Sequence, residues 1–356
     1  MLVFALTYHQ VMPAFLDFLF PFGKQQYMQG FHFSGFRHED RLSTGRRGLD
    51  IQELGRTGRD IRVCYGLKSV EPSRARDDWP WSIRQTATYH SLDVETGKSL
   101  WIIIKADQLI KRRMEAATKP RGTYRIDSFG SSINALTSSL SAHLILFDWC
   151  GENWRWYINF LEQGLENTTR RTRLIRFDTP TSVLTKNSIT LQGNQDVASS
   201  SLTTEKTGLS LSSQHATHQS RRAPQKQSPP TILPEPTATS VLAAEQSDGE
   251  ADFSFSDLQH VQFLEEKVNE ILLVLEANIN VISELKEHYQ EVVASEDFPY
   301  VLRQECAGDI KRFWQGITST VSDLRMQYSR TKTLLQTLTD RKSLVSLIYF
   351  QPQFCT

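Results

Sequence analysis

The chain is poor in cysteine. Four residues, Cys64, Cys150, Cys306 and Cys355, are spread over 356 positions with no C-x-x-C pair. That spacing excludes a zinc ribbon and argues against a disulfide framework, so a reducing compartment is expected. Charge of one sign is also lacking: 40 Lys and Arg face 40 Asp and Glu. Without a basic excess, nucleic acid is not an expected partner. Long apolar runs are missing too. A membrane helix needs about 20 consecutive, mostly apolar residues. Residues 15–22 contain Asp17 and stop at Gly23-Lys24, residues 144–149 carry Asp148, and residues 271–275 sit between Glu270 and Glu276. No integral membrane segment is therefore expected. Residues 1–6 lack a basic leader and are followed by Tyr8, His9 and Gln10, so no secretory signal is expected either. Neither Gly-x-Ser-x-Gly nor His-Glu-x-x-His occurs, and no carboxylate pair can be given acid and base roles. The expectation is a protein that is not an enzyme, with no catalytic or cofactor-binding residues.

Several short motifs are present but incomplete. Thr96-Gly-Lys-Ser99 matches the tail of a P-loop, whose first glycine would fall at Leu92. The phosphate cradle is thus absent, and Gly97 suits a hairpin turn instead. Gly55-Arg-Thr-Gly-Arg59 reads as a helicase-like motif without its acidic box, hence as loop glycines. His32, His38, Glu39 and Asp40 gather within residues 31–40. These are metal-ligating types, yet the two histidines lack helical i, i+4 spacing and nothing else converges on them in sequence. The expectation there is a surface loop with buried phenylalanines, and the metal ligands, if any, stay unknown. Asn167-Thr-Thr169 is a glycosylation sequon that should be silent without a signal. Arg170, Arg171, Arg173 and Arg176 read as a solvated helix end, with contact to acidic lipid as the alternative.

Three segments follow from composition and periodicity. The overall class reads as α+β followed by long helices, with residues 1–180 an α/β domain with a mixed sheet. Residues 81–90 alternate with β-branched and aromatic side chains, as strands do. Residues 99–104 are almost wholly apolar, which predicts a central strand, and a turn lies between the two. A third apolar run spans residues 142–148. Trp154, Tyr157, Ile158, Leu161 and Leu165 share one helix face. Residues 181–252 form a Ser/Thr/Pro/Gln-rich linker that cannot bury enough apolar surface to offset its ordering entropy.

Residues 253–350 predict a long antiparallel helical hairpin, stalk-like and with a coiled-coil seam. The first helix starts at a Ser256 or Asp257 cap. Its seam is Val261, Leu264, Val268, Ile271, Leu275, Ile282 and Leu285, with Asn278 as one polar position that can fix register. At 1.5 Å per residue this helix would be about 55 Å long. Phe298-Pro299 marks the corner. The second helix continues with Ile310, Phe313, Ile317, Val321, Leu324, Leu335 and Leu338. Residues 343–350 are again apolar but too few to span a bilayer.

Several longer phrases carry a family likeness. They are residues 8–18 (YHQVMPAFLDF), 31–40 (FHFSGFRHED), 81–86 (WSIRQT) with Tyr89-His90, and 152–157 (ENWRWY). Residues 253–259 (FSFSDLQ), 323–327 (DLRMQ) and 340–342 (DRK) extend it. Together they resemble the CorA-like transporter domain of filamentous fungi. The resemblance implies the plan of CorA magnesium channels: a cytosolic α/β domain, stalk helices, then two membrane helices with a Gly-Met-Asn motif, five subunits to a pore. Gly-Met-Asn is absent here. The resemblance therefore implies a truncated, cytoplasmic module of a magnesium-transporter-like protein that does not transport by itself. Full-length members would sit in the membrane. Magnesium is the only cofactor it suggests, with no ligands assigned. Partners would be further copies, or full-length relatives, met through the helical hairpin. A coiled-coil protein-interaction scaffold is the rival reading.

Overall fold

The computed structural model describes residues 2–24, 34–73, 79–104, 108–119, 126, 129–170 and 254–350. The expected linker, His32, and Arg171, Arg173 and Arg176 lie outside them. Two short helices open the chain, α1 (Leu2–Tyr8) and α2 (Phe15–Leu19). Four strands follow: β1 (Phe36–Asp40), β2 (Asp60–Pro72), β3 (Trp81–Asp93) and β4 (Ser99–Ile104). Then come α3 (Gln108–Ala117), α4 (Ser132–Gly151) and α5 (Trp154–Thr169). Beyond the linker stand α6 (Phe255–Ala294), α7 (Tyr300–Glu305) and α8 (Ala307–Phe350). The architecture is α+β followed by long helices, as the composition and periodicity predict. The strand order is β1-β2-β3-β4, and every pairing is antiparallel. The sheet is therefore not mixed.

β2 is the longest surprise. Its sequence, DIRVCYGLKSVEP, carries four charges, yet it is almost wholly buried. The period-2 pleat explains how. Ile61, Val63, Tyr65 and Leu67 face one core, which they share with α4, α5, α6 and α8. Cys64 faces a second core made by Leu6, Met12, Phe15, Phe18, Ala87 and Tyr89. The charges on this second side are paired: Arg62 donates to Asp60 at 2.6 Å and reaches the carbonyl of Gln10 at 3.2 Å. Arg56 likewise holds the carbonyl of His9 at 2.6 Å, so the α1–α2 turn is tied down by two guanidinium groups.

β4 is an edge strand, not a central one. Its uninterrupted apolar run has another cause. Trp101 and Ile103 pack on the first core while Leu100, Ile102 and Ile104 pack on the second. Both faces are covered, and only the hydrogen-bonding edge is free of a neighbour strand. Residues 142–148 are likewise the middle of α4, a helix buried on most sides. Residues 36–40, expected as loop, are edge strand β1.

The turn after β3 forms as expected. Gly97 has φ +74°, and a Cβ there would lie 2.8 Å from the backbone nitrogen of Ser132. The Asp93 carboxylate accepts from the backbone N–H of Thr57, Glu95 and Thr96, closing the turn onto residues 55–58.

α6 is 40 residues long, about 60 Å. Its N-cap is Ser254, with Asp257 completing a capping box, rather than Ser256 or Asp257 themselves. The corner contains α7 between the two long helices. The face of α5 read from the sequence is buried throughout. Its outer side is bound to α8 by Arg330 on Glu162 and by Arg341 on Glu166. α8 meets α4 where Gly316 faces Leu144, and a Cβ there would lie 2.6 Å from a Leu144 methyl. The described parts of residues 1–175 and 253–356 fall in one compact unit. The first and third segments of the sequence thus share a core.

Candidate functional site

The expected seam residues are placed as follows. Val261, Leu264, Val268, Ile271, Leu275, Ile282 and Leu285 are buried on α6. On α8, Ile310, Phe313, Ile317, Val321, Leu324 and Leu338 are buried, while Leu335 is half-buried beside a buried Leu334. They do not face one another alone. The same cluster takes in the sheet, α4 and α5, so the seam is part of a globular core. Asn278 illustrates the difference. Its side-chain amide accepts from the backbone N–H of Lys68 at 3.0 Å and donates to the Lys68 carbonyl at 2.7 Å. β1 pairs β2 only as far as Tyr65. Beyond that point the outward backbone groups of β2 need another partner, and Asn278 serves as a one-residue substitute for the missing strand.

Two groups of histidines meet α6, one at Tyr289 and one at His288. The first is central. His143 on α4 bonds Tyr65 of β2 through Nδ1 at 2.8 Å and Tyr289 of α6 through Nε2 at 3.0 Å. His90 of β3 adds Ser99 at 3.2 Å and Ser139 at 3.1 Å, and its Nδ1 lies 3.3 Å from His143. Both imidazoles are completely buried. Burial drives His90 down to about 3, and it drives His143 well below the ordinary histidine value, with His90 adding to the effect. It also pushes the phenols of Tyr65 and Tyr289 up. All four groups are neutral near pH 7. Every ring nitrogen has a partner, so the network staples β2, β3, α4 and α6 together. It provides hydrogen bonds in place of solvent and presents no charged nucleophile.

The second group lies at the rim. His38 and Asp40 are two residues apart on β1 and so share a face of the strand. Phe36, on the same face, packs against His288 of α6 with ring centroids 5.7 Å apart. The His38 and His288 rings are 4.1 Å apart, and His38 Nδ1 is 3.9 Å from the Asp40 carboxylate. One ligand atom from each of His38, Asp40 and His288 lies within 4.8 Å of the others. His288 is 4% exposed, and its Nε2 is buried without a hydrogen-bond partner. Desolvation, with His38 nearby, lowers its pKa to about 3, so the ring is neutral. The rim opens into a cleft of about 380 Å³ that also touches Glu284, Glu287 and Glu291. Glu39, next in the strand, is engaged by Arg41 at 2.8 Å.

Sequence reasoning placed His38 and Asp40 together but missed His288, which is about 250 positions away. The Glu-x-x-x-His-x-x-Glu stripe at 284, 288 and 291 was its only local signal. The comparison with known families bears on the first half of the chain. Residues 1–173 match the model of the CorA-like transporters. The matched segment runs from α1 through α5 and contains His38, Asp40, His90 and His143. Tyr289 and His288, which complete both histidine groups, come from α6 beyond it. No curated protein and no solved structure matches the chain. Among the described residues, no helix is long and apolar enough to cross a membrane.

Proposed function

We propose that the chain is a CorA-like module that serves divalent-cation transport from outside the membrane, and that it is not an enzyme. The match over residues 1–173 carries this reading. In it, magnesium is the cation transported by the assembly and the module lies on the cytoplasmic side. The partners are further copies or full-length relatives. The helices α6 and α8 spend their apolar stripes on the sheet and on α4 and α5. A partner would therefore meet their outer faces, where Leu273 and Met326 are exposed. This also weighs against a scaffold whose coiled-coil seam is the working surface.

The donor set at the rim does not suit magnesium. That ion takes near-octahedral oxygen ligands and keeps several waters, whereas two of the three rim donors are imidazoles. Magnesium belongs in this reading only as cargo. Expressed in cells that lack their own magnesium uptake, the chain alone should not restore growth in low magnesium. In cells that also carry a CorA-type transporter, the full chain should be recovered with that transporter. Growth restored by the chain alone, with a magnesium current in vesicles, would overturn the reading.

A further inference from the structure

We propose that His38, Asp40 and His288 form a binding site for a divalent transition-metal cation of the zinc class. Three independent observations carry it. The first is convergence: two imidazoles and one carboxylate from a strand and a distant helix come within 4.8 Å. On a tetrahedral zinc ion with bonds of about 2.0–2.1 Å, ligand atoms stand roughly 3.3 Å apart. His38 and Asp40, 3.9 Å apart, need only a small side-chain adjustment to reach that spacing. The second is the buried, unpartnered Nε2 of His288. A buried polar atom without a partner is destabilising, whereas the rings of His90 and His143 in the same protein are fully bonded. The third is the surroundings. Glu284, Glu287 and Glu291 line the same cleft, with Arg37 as its one basic lining residue. Glu284 and Glu291 lie four residues before and three after His288, hence on its stripe of the helix.

The donor chemistry sets the class of ion. Imidazole suits zinc, copper, nickel and iron, while magnesium and calcium prefer oxygen alone. Metal ligation uses neutral imidazole, so zinc binding should release protons and weaken as pH falls. Three protein ligands leave a fourth position for water or for one of the cleft glutamates, the arrangement of an open zinc site. Among the described residues, the cysteines do not compete. Cys64, Cys150 and Cys306 are buried and free, and burial pushes the Cys64 thiol up to about 12.

The site stands on geometry alone and is independent of the transport reading. Its test is a calorimetric titration of the metal-free full chain with zinc chloride and, separately, magnesium chloride. One zinc per chain should bind, and magnesium at the same concentration should not. His38→Ala and Asp40→Asn alter side chains at the open rim, so circular dichroism should be unchanged. Each should weaken zinc binding at least tenfold. Cobalt(II) in place of zinc should give a visible absorption band that His288→Leu removes. The proposal is overturned if zinc does not bind, if both rim variants bind zinc as the parent does, or if magnesium occupies the site with equal affinity.

Discussion

The two histidine pairs in this fold start from similar circumstances and end differently. His90 and His143 are buried in the centre, and His288 is almost as buried at the rim beside His38. Burial lowers the pKa of His90, His143 and His288 alike. The central rings spend their nitrogens on Tyr65, Tyr289, Ser99 and Ser139. The rim ring leaves Nε2 unspent. Burial alone therefore does not separate a structural histidine from a ligand; hydrogen-bond satisfaction does. α6 makes the division with consecutive residues, since Tyr289 enters the central network and His288 turns toward β1.

The comparison breaks most visibly at the centre. His143→Leu would remove the 2.8 Å partner of the Tyr65 hydroxyl and leave Tyr289 with only the longer contact to His90 Nδ1, at 3.4 Å. The expected loss is about 2–5 kcal/mol in urea unfolding. A loss below about 1 kcal/mol would mean that the network is not the staple described. Asn278→Leu tests the same rule on the backbone. It strips the partners from both Lys68 groups, and about 2–4 kcal/mol should go.

Acid sharpens the comparison. His90 and His288 have folded values of about 3 against an ordinary 6.5. A base with a lowered folded pKa binds fewer protons folded than unfolded. Its contribution to stability is complete above about pH 6.5 and is lost as pH falls from there toward 3. Each such group contributes a slope of about 1.4 kcal/mol per pH unit in that window. His288→Leu should reduce the slope by one proton without touching the central pair. An unchanged slope would show that His288 is protonated in the fold.

Much of this was readable from residue pattern. The apolar stripe of α5 and the seam of α6 recur at helical spacing, and each of those side chains is buried. The turn at Thr96-Gly97 followed from an incomplete P-loop and a glycine. Other elements were illegible for physical reasons. β2 hides because Arg62 and Lys68 interrupt its apolar pattern, and their accommodation depends on groups elsewhere in the chain. α4 shows in the sequence only as an apolar run over residues 142–148, because a helix buried on most sides loses its amphipathic period. Asn278 looked like a register residue because its partner, Lys68, is 210 positions away. His288 was invisible as a ligand for the same reason.

The smallest expected effect lies at the rim without metal. His288→Leu removes an unpartnered polar atom and keeps most of the packing, so metal-free stability should stay level or rise by up to about 1 kcal/mol. Thermal unfolding of the parent and of His288→Leu, each with a chelator and with zinc, tests the contrast most directly. The account predicts that zinc raises the parent's Tm and leaves the variant's unchanged, while the two are close in chelator. A variant that loses stability in chelator as heavily as His143→Leu, beside a parent indifferent to zinc, would contradict it.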